Sequence, residues 1–127
     1  MKKTTFVITD DAVFMRGLLR KIIESSDEYE VVGEASNGLE AIEIAQQLQP
    51  DIITLDITMP VMDGIQAVSK ILEVSPNSKI IIVSAMGQQH MVIEALKQGA
   101  KDFVTKPFEK SRVFQAIENV LSREDGK

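Results

Sequence analysis

Ile52-Ile53-Thr54-Leu55-Asp56-Ile57-Thr58-Met59-Pro60-Val61-Met62-Asp63-Gly64 is the stretch on which the fold turns. Its first four residues are nearly continuous in apolar, mostly β-branched side chains, and Ile80-Ile81-Ile82-Val83 repeats the pattern. Strands buried on both faces look like this, as the inner strands of a parallel sheet must. Working outward, the strand candidates are Thr5–Thr9, Tyr29–Ala35, Ile52–Leu55, Lys79–Val83 and Asp102–Thr105. Helical periods lie between them. Met15, Leu18, Leu19, Ile22 and Ile23 form one apolar stripe, and Ala41, Ile42, Ala45 and Leu48 the next. Ile65, Val68, Ile71 and Leu72 form a third, Val92, Ala95 and Leu96 a fourth, and Val113, Phe114, Ile117, Val120 and Leu121 close the chain. All four prolines fall at junctions between these elements.

Five β-α units in one small domain predict an α/β fold: a doubly wound five-stranded parallel sheet with helices on both faces, since each crossover must be right-handed. The flavodoxin-like strand order 2-1-3-4-5 is the leading topology, and its ligand site lies beyond the carboxyl ends of the strands. At 127 residues there is room for one domain, expected over 1–122, with 123–127 as a short polar tail.

Composition narrows the field. A net charge of −5 without a basic cluster argues against nucleic acid held by this domain. No apolar run approaches the roughly 20 residues that span a bilayer, and the basic start lacks the apolar core of a secretory signal. With no cysteine there are no disulfides or thiolate metal sites. A cytoplasmic protein without membrane attachment is expected. No phosphate-binding glycine loop is present; Asn37-Gly38 resembles none. His90 alone cannot form a triad or a metal cluster, and reads as a surface residue.

The strand ends concentrate the chemistry. The first strand runs into Asp10-Asp11, the third into Asp56, the fourth into Ser84-Ala85 and the fifth into Lys106-Pro107-Phe108. Any one of these has a plain structural reading: Asp10 as a helix cap, Ser84 as a partner for a backbone group. Their convergence on one rim does not. Two carboxylates about 4 Å apart repel by roughly 4 kcal/mol at an effective dielectric near 20. Three of them need more compensation than Lys106 gives, and a hard divalent cation such as Mg²⁺ would supply it. The set then reads as equipment for phosphoryl transfer, with a nucleophilic carboxylate, a metal, an ammonium and a hydroxyl.

The same residues carry a family resemblance over essentially the whole chain. Asp10-Asp11, Asp56 through Gly64, Ser84-Ala85 and Lys106-Pro107-Phe108, in that order and at strand ends, resemble the receiver domains of two-component response regulators. The resemblance implies that Asp56 is the phospho-acceptor and that Asp11, Asp56 and the backbone carbonyl of Thr58 ligate Mg²⁺, with Asp10 acting mostly through water. It implies that Ser84 is the switch hydroxyl, Lys106 the phosphate-contacting lysine, and Phe103 the rotating aromatic, though Phe103 also has a plain reading as a core residue of the last strand. It implies a cis Lys106–Pro107 bond. Thr58 and Met86 would tune the decay of the acyl phosphate.

Asp56-Ile57-Thr58 and Ser84-Ala85-Met86-Gly87-Gln88-Gln89 are similar to the CheY-type chemotaxis regulators. That implies a stand-alone protein phosphorylated by a sensor histidine kinase of the CheA kind and signalling to the flagellar motor switch or another output partner, with a phosphatase as a further partner. Beyond taking its own phosphoryl group from a donor and losing it to water, it would not be an enzyme. Two other readings stay open: the regulatory receiver half of a transcription factor or other effector, and a phosphohydrolase of the haloacid-dehalogenase kind. The latter needs a second acid two residues after the nucleophile, where this chain has Thr58.

Overall fold

The apolar run at Ile52 becomes the central strand of a five-stranded sheet, and the run at Ile80 one of the two strands that flank it. The computed structural model describes residues 2–126, the last four as backbone only. Elements follow in strict alternation: β1 (Thr4–Thr9), α1 (Val13–Glu24), β2 (Tyr29–Ala35), α2 (Gly38–Leu48), β3 (Ile52–Asp56), α3 (Gly64–Val74), β4 (Lys79–Ser84), α4 (Gln89–Gln98), β5 (Asp102–Thr105) and α5 (Lys110–Gly126). Every strand pairing is parallel, and the order is β2-β1-β3-β4-β5, as the sequence predicts. Helix α5 continues through 123–126, the stretch set apart above as a tail; Lys127 lies outside the described residues.

The sheet divides the core in two. On one face Val7, Ile53, Leu55, Ile80 and Ile82 pack against Ala41 and Ala45 of α2, Val68 and Ile71 of α3, and Val92 and Ala95 of α4. On the other, Phe6, Ile8, Ile52 and Ile81 meet Leu19 and Ile23 of α1 and Val113, Ala116, Ile117 and Val120 of α5. Alternation along β3 puts Ile53 and Leu55 in one core and Ile52 in the other, which is why its sequence is apolar at nearly every position. Each large aliphatic buried this way contributes roughly 1.5–3 kcal/mol.

Strand ends differ from the sequence reading by one residue, and the difference bears on function. Strand β3 includes Asp56 and β4 includes Ser84, because the ladder continues across Asp56↔Val83 and Ser84↔Thr105. Both polar side chains therefore stand on backbone fixed by strand pairing. The helix starts have local explanations as well. Asn37 accepts from the Glu40 N–H to cap α2, and Asp63 and Gln66 form a reciprocal capping box at α3.

Candidate functional site

Asp10, one residue beyond β1, and Asp56, the last residue of β3, are both buried, and exposed Asp11 stands beside them. Each of the three offers a carboxylate oxygen, and these oxygens lie within 4.8 Å of one another. The Lys106 ammonium, just past β5, reaches Asp10 Oδ2 at 3.1 Å and Asp56 Oδ2 at 3.2 Å. Three strand ends, those of β1, β3 and β5, thus converge at the switch of strand order between β1 and β3, where doubly wound sheets place their ligands.

Local hydrogen bonds hold each member in place. Asp10 is not the cap of α1: that position is Ala12, whose N–H donates to Asp10 Oδ1 at 2.9 Å from just ahead of the helix. The carbonyl of Asp10 accepts from Arg16 Nη1 at 2.6 Å, and Glu34 on β2 holds Arg16 Nε at 2.9 Å. At Asp56, close approach requires glycine: a Cβ on Gly64 would lie 2.2 Å from the Asp56 carbonyl oxygen, while the Gly64 N–H donates to Ile57 at 2.8 Å. The Lys106 N–H donates to the Ser84 carbonyl at 2.7 Å, and the Lys106–Pro107 peptide is cis, as the resemblance implies.

One ammonium shared by two buried carboxylates leaves the cluster short of positive charge. Burial raises the Asp56 pKa above the usual aspartate value; Asp10 adds to the rise, and Lys106 opposes it without cancelling it. Burial alone would lower the Lys106 pKa, but Asp56 and Asp10 outweigh it and hold the ammonium more firmly charged than usual. Three carboxylates offering hard oxygen ligands, with a residual negative charge, fit a divalent cation of the Mg²⁺ class.

The other predicted site residues divide into two groups. Thr58 lies two residues past Asp56, and its hydroxyl accepts from Gln88 Nε2 at 2.9 Å. Ser84, Met86 and Phe103 line a groove of about 300 Å³ beside α4, along with Val92, Ile93 and Leu96. Ser84 is buried, whereas Met86 is 78% exposed on the loop before α4. Phe103 is not a core residue: it is 37% exposed, with the Arg112 guanidinium 5.6 Å from its ring centroid. His90 is exposed in the first turn of α4, as expected. Sequence reasoning missed Arg16 and Gln88, because both act through loop geometry that no spacing rule reveals.

A parallel sheet carrying this acidic cluster and lysine at its switch point defines the class as a flavodoxin-like receiver. The chain belongs to the response regulator receiver domain family, which matches it over residues 6–118. Within that family it is CheY-like. It is 58% identical to the chemotaxis protein CheY of Thermotoga maritima over 114 residues, 90% of this chain and 94% of that protein. It is 48% identical to CheY of Bacillus subtilis over 91% of this chain and 96% of that one. The crystal structure of a CheX–CheY–BeF3–Mg complex from Borrelia burgdorferi superposes with a TM-score of 0.88 at 36% identity, covering 94% of this chain and 90% of that one. No helix among the described residues is long and apolar enough to cross a membrane.

Proposed function

We propose that this protein accepts a phosphoryl group on Asp56 from a sensor histidine kinase and converts it into a change of its partner-binding surface. The observation that carries this reading is the Lys106 ammonium bridging Asp10 and Asp56 at 3.1 and 3.2 Å beside Asp11. In the reaction an Asp56 carboxylate oxygen attacks phosphorus of a phosphohistidine; the new P–O bond forms as the P–N bond breaks, and the imidazole leaves with a proton from solvent. Asp10, Asp11, Asp56 and the Thr58 carbonyl would hold Mg²⁺, which when bound supplies charge neutralisation for the incoming phosphoryl oxygens. Lys106 works against the rise in the Asp56 pKa that burial and Asp10 produce, and would contact a phosphoryl oxygen after transfer.

The product carries roughly two negative charges and three acceptor oxygens. The Ser84 hydroxyl donates to one of them, and its movement opens the groove side for Phe103 to turn inward. That repacks the face made by α4, β5 and α5, where an output partner would dock. Water attack on the acyl phosphate ends the signal, and Thr58 and Met86 flank its path. The resemblance to CheY proteins supports chemotaxis as the setting, in the cytoplasm, with a CheA-like kinase, a flagellar switch protein and a phosphatase as partners.

Incubation with acetyl phosphate and Mg²⁺, followed by intact mass spectrometry, tests the acceptor. One added phosphoryl group, absent from Asp56→Asn, is the expected result. No addition to the wild-type chain overturns the reading.

A further inference from the structure

The loop between β4 and α4 holds a contact that phosphoryl transfer to Asp56 leaves without a role. The Ala85 N–H donates to Gln88 Oε1 at 2.7 Å, and Gln88 Nε2 donates in turn to Thr58 Oγ1 at 2.9 Å. A single carboxamide therefore spans two loops, one following Asp56 and the other following Ser84. Glutamine is costly to immobilise at a surface, and here both ends of its amide are engaged.

The position of the Ala85 N–H is set by the sheet. Val83 is the strand partner of Asp56, and Ser84 pairs with Thr105, so the next backbone donor on this strand end is that of Ala85. A phosphoryl group on Asp56 needs donors on this side beyond Lys106, whose ammonium already serves two carboxylates. We propose that the Gln88 carboxamide is a latch on the unphosphorylated state: it occupies the Ala85 N–H, and a phosphoryl oxygen on Asp56 takes that donor from it. The latch rests on Asp56 being the acceptor, and Gln88 acts as a positioning residue through Ala85 and Thr58.

Physical chemistry favours the exchange. A hydrogen bond to a charged oxygen is about twice as strong as one to a neutral amide oxygen. The displaced carboxamide lets go of Thr58 as well, so both loops at the pocket mouth loosen together. Gln88 is also the residue that starts α4, its carbonyl accepting from the Met91 and Val92 N–H groups at 3.0 Å each. Gly87 before it sits at φ +88°, a left-handed conformation in which glycine is unstrained and a hinge is easily built. Helix α4 buries Val92 and Ala95 and leaves Met91 and Ile93 to solvent, so its first turn is lightly anchored. Release of Gln88 thus passes the state of Asp56 to the start of α4.

The test combines amide NMR of the wild-type protein with kinetics of Gln88→Met, which keeps the side-chain length and removes both hydrogen bonds. Phosphorylation by acetyl phosphate is first confirmed by intact mass. On phosphorylation the Ala85 amide is expected to shift downfield, and the Gln88 side-chain NH₂ signals to move to solvent-exposed positions, beyond any change Mg²⁺ alone produces. Gln88→Met is expected to phosphorylate about 3- to 10-fold faster, the factor that one net hydrogen bond represents. Its dephosphorylation rate should stay within twofold, because the latch is already open in that state. If the mass is gained and the Ala85 and Gln88 signals do not move, the latch is wrong and Asp56 stands as acceptor. A Gln88→Met rate equal to wild type, or an altered decay rate, also overturns it. If no mass is gained, both readings fall.

Discussion

The proposed reaction sets two opposing requirements on Asp56: it would have to be anionic to attack phosphorus, and it is buried next to another carboxylate. Burial and Asp10 raise its pKa, so the folded protein holds a proton there more tightly than the unfolded chain does. A group raised in this way costs nothing while protonated in both states, below its unfolded pKa. It destabilises the fold as pH rises through the folded value, when the native carboxylate must ionise. Asp56→Asn keeps an acceptor for Lys106 and removes that charge. Without Mg²⁺ the variant should therefore be more stable than wild type at pH 7 by on the order of 1 kcal/mol, which for a chain of this size is a few degrees in Tm. The advantage should disappear in acid below the ordinary aspartate range. Urea titrations at pH 7 and pH 3 check both halves, and equal stability at pH 7 would show that Lys106 already compensates the cluster.

At the level of elements, the turn from β1 into α1 is fastened from outside itself. Arg16 on α1 holds the Asp10 carbonyl and Glu34 of β2, and Arg20 adds a second ion pair to Glu34. Glu34 loses some solvation, but its hydrogen bonds and charge pairing with the two arginines more than offset this and lower its pKa. A lowered carboxylate contributes stability above its unfolded pKa and loses it as pH falls through the folded one. Arg16→Gln should cost about 1 kcal/mol at neutral pH, discounted for the partial exposure of the pair, and much less near pH 3. Denaturant midpoints at the two pH values measure it; a cost independent of pH would mean Arg16 acts through the Asp10 carbonyl alone. Such ties explain what the sequence does and does not reveal. The nearly continuous apolar runs at Ile52 and Ile80, and stripes such as Val68 and Ile71, are physical consequences of burial, so the strands and helices are legible in the sequence. Asp10, Asp11, Asp56 and Lys106 are legible because they sit at strand ends. Arg16 and Gln88 are not, because a long polar side chain on a helix or loop reads as solvated until its partner is located. The plain alternative for Phe103, a core residue of the last strand, fails because β5 turns it toward solvent and Arg112.

For the molecule as a whole, the acidic cluster should make stability a function of divalent cation. The apo fold contains repulsion among Asp10, Asp11 and Asp56 that a single ammonium does not balance, whereas the unfolded chain keeps the same carboxylates apart and solvated. A cation that binds the native cluster and not the unfolded chain stabilises by RT ln(1 + [L]/Kd), about 2.7 kcal/mol at a hundredfold excess over Kd. Mg²⁺ should therefore raise Tm progressively with concentration, and EDTA should reverse the rise. Asp11→Ala removes an exposed ligand with little core consequence, so its apo Tm should equal or exceed that of wild type while its response to Mg²⁺ is lost. Na⁺ at matched ionic strength separates this from screening: screening relieves repulsion in both proteins alike, whereas occupancy of the cluster requires Asp11. A Tm that rises equally with NaCl and MgCl₂, or an Asp11→Ala protein that still responds to Mg²⁺, would show that the cluster is not where the cation acts. A wild-type response lost in Asp11→Ala places the cation on the same cluster whose repulsion it relieves.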